Sequence, residues 1–250
     1  MPSTSPALPR LAALGVAALA LVLSGIDHTP PPDNPAVAPE PRPGSWLALH
    51  ESFVATAGRG DVYLLFLGDS ITALWKTTAP SVWERHYAPR KAANFGIGGD
   101  HTQHLLWRLD HGELDGIAPK VVVVLIGTNN LPHESEDQVV EGVKAVVDRV
   151  RLKLPASKIL LLGVTPRGLD RDPSQVTTAP DPRVARLNLK LARLVDGRTI
   201  QYLDIGPALL DGEGRVVQAI EPDFLHFSRK GYRIWADAME PTLWKMREGD

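Results

Sequence analysis

Three short, unbroken apolar runs constrain this chain more than anything else in it: Val62–Leu67 (VYLLFL), Val121–Ile126 (VVVVLI) and Ile159–Gly163 (ILLLG). Each is too short for a buried helix and lacks the alternation of a half-exposed strand. Each suits a strand covered on both faces. Ala92–Phe95 and Ile200–Leu203 are weaker strand candidates. Helical patterns lie between them. Trp46–Ala57 runs up to Gly58, Gln103–Leu109 is brief, and Glu136–Leu154 follows Ser135, a fair N-cap. Pro182–Asp196 sets Val184, Leu187, Leu191 and Leu194 on one face before Gly197, and Ser228–Met246 closes the chain. Strand and helix alternate, which predicts an α/β fold with a parallel sheet covered on both sides.

The segment before this pattern reads differently. Leu11–Ser24 (LAALGVAALALVLS) follows a short stretch carrying Arg10. It is shorter than the about 20 residues of a membrane span, but has the length of a signal-peptide core. Residues 1–25 are therefore expected to be a signal peptide or an N-terminal anchor, and the protein to be secreted or periplasmic. Thr29–Pro43 (TPPPDNPAVAPEPRP) reads as an extended linker, because repeated proline fixes φ and removes donors. The expected division is leader 1–25, Pro-rich linker 26–43 and one globular domain over 44–250.

In an open parallel sheet, ligands sit beyond the carboxyl ends of the strands. The residues just past each predicted strand are Gly68-Asp69-Ser70, Gly96-Ile97-Gly98-Gly99-Asp100, Gly127-Thr128-Asn129-Asn130 and Thr165-Pro166-Arg167-Gly168. Asp223-Phe224-Leu225-His226 precedes the last helix. The chain has no cysteine, which excludes thiolate, Fe–S and Cys-zinc chemistry. Its net charge of -2 gives no electrostatic reason to expect nucleic acid. A dinucleotide fingerprint would need glycine at position 101, where His101 stands.

The remaining residue types suit acyl transfer. A serine hydroxyl needs a neighbouring base, and Ser70 and His226 are the candidate pair. Asp223, three residues before His226, can hold the imidazole in the right tautomer. Developing oxyanion charge needs fixed donors, which the Ser70 amide, the Gly99 amide and the Asn129 side chain can supply.

With these blocks in this order, the chain resembles the SGNH, or GDSL, hydrolases. NFGIGGD (Asn94–Asp100), WRL (Trp107–Leu109), GEL (Gly112–Leu114), GTNN (Gly127–Asn130), PRG (Pro166–Gly168) and DFLHFSRKGY (Asp223–Tyr232) are similar to the platelet-activating-factor acetylhydrolase Ib catalytic subunits. The resemblance implies a three-layer α/β/α sandwich on a flavodoxin-like, five-stranded parallel sheet. It implies cofactor-free ester hydrolysis, with Ser70, Asp223 and His226 as catalytic triad. It places the amides of Ser70 and Gly99 and the side chain of Asn129 in the oxyanion hole. The expected substrate is a small ester, an acetylated glycan or a lipid; nucleic acid is not expected, and a homodimer is compatible with the family.

Other side chains carry narrower expectations. Ile71 and Leu225 flank the catalytic groups and are expected either to narrow an acyl pocket toward acetyl or simply to pack in the core. His101 and His104 share a helical face without a third ligand, so no metal is expected. The six tryptophans are read mostly as core or rim, and Arg167 and Arg171 as solvated arginines able to meet an anionic substrate. Asp170–Asp181 is read as a surface loop near the site. Two other classes compete: a non-catalytic binding module retaining the fold, and a nucleotide or flavin protein, for which phosphate-cradling loops are not evident.

Overall fold

The computed structural model describes Met1, residues 34–172 and residues 174–248. The expected leader and the first residues of the expected linker, 2–33, lie outside the described residues. The strands are β1 (Leu64–Gly68), β2 (Ala92–Gly96), β3 (Val121–Leu125), β4 (Lys158–Leu162), β5 (Thr177–Thr178), β6 (Ile200–Leu203) and β7 (Val216–Val217). The helices are α1 (Ser45–Ala57), α2 (Ser70–Ala73), α3 (Trp75–Thr78), α4 (Pro80–His86), α5 (Thr102–Asp110), α6 (Glu136–Lys153), α7 (Pro182–Leu191), α8 (Gly206–Leu209) and α9 (Arg229–Glu248).

Five strands form one parallel sheet in the order β2-β1-β3-β4-β6, and β5 pairs antiparallel with β7. This is the flavodoxin-like strand order. Every residue of β1 and β3 is buried, as predicted from their unbroken apolar runs. Alternate side chains serve opposite faces. Leu65, Leu67, Val122 and Val124 pack with Phe53, Leu105, Val143 and Leu187 under α1, α5, α6 and α7. Leu64, Phe66, Val121 and Val123 pack with Trp75, Trp83, Trp235 and Met239 under α3, α4 and α9. Four of the six tryptophans are buried core; Trp244 is exposed and Trp107 lies half-buried against His111.

Two local readings change. The predicted helix to Asp196 stops at Leu191 and gives way to a 3-10 turn over Ala192–Leu194. Asp196 Oδ1 accepts from the amides of Arg198, Thr199 and Ile200. That local network offers the backbone an alternative to helix. The expected linker is the larger correction, because its second half is packed chain. Asn34 Nδ2 donates to Glu141 Oε2 at 2.7 Å, Ala36 is fully buried, and Thr102 Oγ1 donates to Ala36 O at 2.7 Å. A boundary at Gly44 therefore falls inside the folded body. Gly142 makes room for this approach: a Cβ there would meet Ala36 O at 2.8 Å. Among the described residues no helix is long and apolar enough to cross a membrane.

Candidate active site

β1 lies where the chain reverses direction across the sheet, first to β2 on one side and then to β3 on the other. Ser70 opens α2 at this crevice. Asp69, just before it, accepts from Ile71 N at 2.9 Å and caps the turn. Burial, first, and the neighbouring Asp100 push the Asp69 carboxyl up to about 7, against the hydrogen bond from Ile71. Two glycines let the turn settle on the sheet. A Cβ on Gly68 would lie 2.3 Å from Leu125 O, and one on Gly96 would lie 2.4 Å from Ala73 N. Asn94 completes the attachment, donating from Nδ2 to Thr72 O at 2.7 Å and accepting from Gly96 N at 2.9 Å.

Ser70 Oγ stands 2.9 Å from His226 Nε2. His226 Nδ1 stands 2.8 Å from Asp223 Oδ2. The three expected residues thus form one hydrogen-bonded chain, although 156 positions separate the serine from the histidine. The turn carrying the last two is tightly wound. Asp223 Oδ1 accepts from His226 N at 2.7 Å and from Leu225 N at 3.2 Å, and Phe224 adopts φ 56. A left-handed aromatic residue is a strained exception. Phe224 is fully buried, and Gly168 N donates to its carbonyl at 2.8 Å, so the surroundings hold it there. Burial pushes the Asp223 carboxyl up, but the amide and imidazole of His226 and the charge of Arg171 outweigh it. The group sits below the usual carboxylate range.

The glycine loop faces the serine. A Cβ on Gly98 would lie 3.9 Å from Ser70 Cβ, and Gly99 has φ 76, a conformation suited to glycine. Asn129 Nδ2 donates to Asp100 O at 2.9 Å, tying the loop after β3 to the glycine loop. A side-chain amide carries two protons, so one such bond leaves chemistry for the other.

Beneath the loop lies a buried charge network. Arg108 is fully buried; its Nη1 donates to Glu113 Oε1 at 2.6 Å and to Phe95 O at 2.8 Å, and its Nε is 3.0 Å from Asp100 Oδ2. His50 reaches Glu113 at 3.3 Å, and Trp46 Nε1 donates to Asp100 Oδ1 at 2.7 Å. Arg42 crosses the rim, its Nη1 donating to Gly98 O at 2.7 Å and to Asp100 Oδ1 at 3.0 Å. Sequence reasoning missed Arg42, because a proline-rich tract hides it. It quoted Arg108 and Glu113 only as parts of WRL and GEL, since an arginine on a helix ordinarily reads as solvated.

The other expectations resolve as follows. Ile71 and Leu225 both sit in the core cluster with Trp75, Phe227 and Tyr232, and Ile71 O accepts from the Tyr232 hydroxyl at 2.7 Å. Packing is the role the structure gives them. His104 Nδ1 accepts from His101 N at 2.9 Å, closing the start of α5. Burial, and then the charges of His101, Arg42 and Arg108, push His104 down to about 4, so it is neutral at ordinary pH. Arg167 and Arg171 are engaged with protein: Arg167 Nη1 donates to Thr128 O at 2.9 Å, and Arg171 binds Asp223.

A serine hydroxyl, an imidazole and a carboxylate hydrogen-bonded in line at the crevice of a flavodoxin-like sheet form a candidate hydrolase-type site. The GDSL-like lipase/acylhydrolase family matches residues 66–234, and the chain belongs to it. It is a family of carboxylic ester hydrolases. The chain is 37% identical over 224 residues to the alpha1 subunit of platelet-activating factor acetylhydrolase IB from Bos taurus, covering 87% of this chain and 93% of that one. It is 37% identical over 188 residues to the alpha2 subunit from Rattus norvegicus, covering 75% and 78%. The fold also matches a GDSL-like lipase from Bacteroides thetaiotaomicron, with a TM-score of 0.63 at 17% identity, over 78% of this chain and 97% of that one.

Proposed function

We propose that the protein is a serine esterase for short-chain, principally acetyl, esters, acting outside the cytoplasm on a small acetylated compound, glycan or lipid. The hydrogen-bonded chain from Ser70 Oγ through His226 to Asp223 carries this reading. In the proposed cycle His226 Nε2 takes the hydroxyl proton as Ser70 attacks the ester carbonyl. Asp223, ionised and bonded at Nδ1, stabilises the imidazolium. The amides of Ser70 and Gly99 and the side chain of Asn129 receive the developing oxyanion. Imidazolium returns the proton to the leaving alcohol. Water, deprotonated by the same imidazole, then releases the acid and frees Ser70.

The alpha1 and alpha2 relatives named above are acetylhydrolase subunits, which supports the acetyl preference. The apolar, Ala/Leu-rich run at 11–24 supports export.

The test is one series of p-nitrophenyl esters, acetyl to octanoyl, with wild type and Ser70→Ala. Wild-type kcat/KM should fall with chain length. The variant should lose several orders of magnitude, keeping about 10³–10⁴ over water. Near-normal turnover by Ser70→Ala would refute the mechanism; a kcat/KM rising with chain length would refute the acyl preference alone.

A further inference from the structure

The loop between β4 and α7 holds a contact that the triad alone does not require. Its base is closed by hydrogen bonds from Leu169 N to Ala179 O and from Asp181 N to Arg167 O, each 2.8 Å, and by the β5–β7 pair. Its outer turn is organised on Asp170 and Asp172, which accept from the amides of Asp172 and Ser174. From this turn Arg171 reaches back to the catalytic turn. Nε donates to Asp223 O at 2.9 Å, and Nη2 donates to Asp223 Oδ2 at 3.0 Å. That oxygen is the one facing His226 Nδ1. The other, Oδ1, is occupied by the two amides of the turn.

We propose that Arg171 is a positioning residue: it fixes the Asp223 carboxylate from outside the triad and thereby sets where the acid limb of the pH–rate profile falls. The inference rests on the esterase reading above. The guanidinium grips main chain and side chain of Asp223 together, so the carboxylate cannot rotate away from the imidazole. It also shares Oδ2 with the imidazole and so takes up part of the carboxylate's negative charge. Being itself a cation, it opposes a second cation nearby. Both effects extend activity toward acid pH.

The other ionisable groups around the turn do not supply this effect. Glu221, two residues before Asp223, is fully buried, and burial with the nearby Asp223 pushes its carboxyl up to about 9, so it is neutral in the working range. Asp69 lies behind Ser70 and caps α2. Arg167 lies near enough to feel the Arg171 charge, but donates to Thr128 O. The Arg171 and Asp223 side chains are 41% and 48% exposed, so solvent screens the interaction and the shift is modest.

The experiment is the pH dependence of kcat/KM for p-nitrophenyl acetate between pH 5 and 9, with wild type, R171Q and R171K. In R171Q the midpoint of the acid limb should move up by about half a pH unit, and R171K should return most of the shift. Raising salt should move the wild-type limb toward that of R171Q and leave R171Q nearly still. An acid limb at the wild-type midpoint in R171Q overturns the proposal, whatever happens to the plateau rate, because loss of rate alone marks a merely structural contact. Should R171Q fail to fold, R171M reads the same limb. Fluorophosphonate labelling of Ser70 in wild type separates the two readings. Labelling with an unmoved limb sinks only the role of Arg171; no labelling and no hydrolysis sinks the esterase reading and this one with it.

Discussion

Replacing Gly96 by alanine adds one methyl group at the place where the Ser70 turn rests on the sheet. The new carbon would stand 2.4 Å from Ala73 N, 2.9 Å from Ala73 Cα and 2.9 Å from Asp69 O. All three are backbone atoms of the turn that presents Ser70, so no side chain can swing aside. Ordinary contact begins near 3.4 Å, so the turn must retreat by about 1 Å. Overpacking of this kind costs about 1–3 kcal/mol, well within what a domain of this size survives. The effect on rate should be larger in proportion. A displacement of about 1 Å in a reacting group costs on the order of 10²-fold. Gly96→Ala should therefore stay folded, melt a few degrees lower and lose about two orders of magnitude in kcat/KM for p-nitrophenyl acetate. Gly212→Ala is the control, since nothing lies within 4 Å of its added carbon. A Gly96→Ala variant with wild-type kcat/KM would refute the claim that this glycine sets the height of Ser70.

Two further predictions concern buried charge. Asp69→Asn keeps the acceptor for Ile71 N but removes a carboxyl pushed up to about 7. The folded wild type holds that proton more tightly than the unfolded chain. Its contribution is full below about pH 4 and disappears as pH rises to about 7, a change of at most about 4 kcal/mol. The melting temperature of Asp69→Asn relative to wild type should accordingly rise between pH 4.5 and 8, and a constant difference would contradict the burial argument. Arg108→Met strands Glu113 and Asp100 without their shared cation; breaking such a pair costs about 3–5 kcal/mol, or roughly 10 °C in thermal unfolding. An unchanged melting temperature would show that the network contributes nothing.

What could be read from the sequence follows from how far each signal reaches along the chain. β1, β3 and β4 announced themselves because burial on both faces leaves no polar alternation. β2 and β6 are the edges of the sheet, and β6 has three half-exposed residues, so their pattern is weaker. Ser70, Asp223 and His226 were legible as short motifs placed after strands or before the last helix. The supports of the site were not. Arg171, Arg42 and Asn94 act through partners 52, 58 and 22 positions away. No local periodicity records such pairings. The same holds for the packed half of the Pro-rich tract: proline fixes φ, but it reveals neither that Pro35–Val37 winds into a 3-10 turn instead of running extended nor that another surface waits to receive it.

The strip from Asn34 to Arg42 also governs where this molecule can be trimmed. A cut after Pro43, natural from composition alone, would take away the cation that spans Gly98 and Asp100 and uncover Ala36's seat against Gly142. The glycine loop would then lose its outer fastening while Ser70, Asp223 and His226 stayed in place. Truncation just upstream of Asn34 spares that fastening, so the two shortened chains differ by ten residues and by the tautness of the loop facing Ser70.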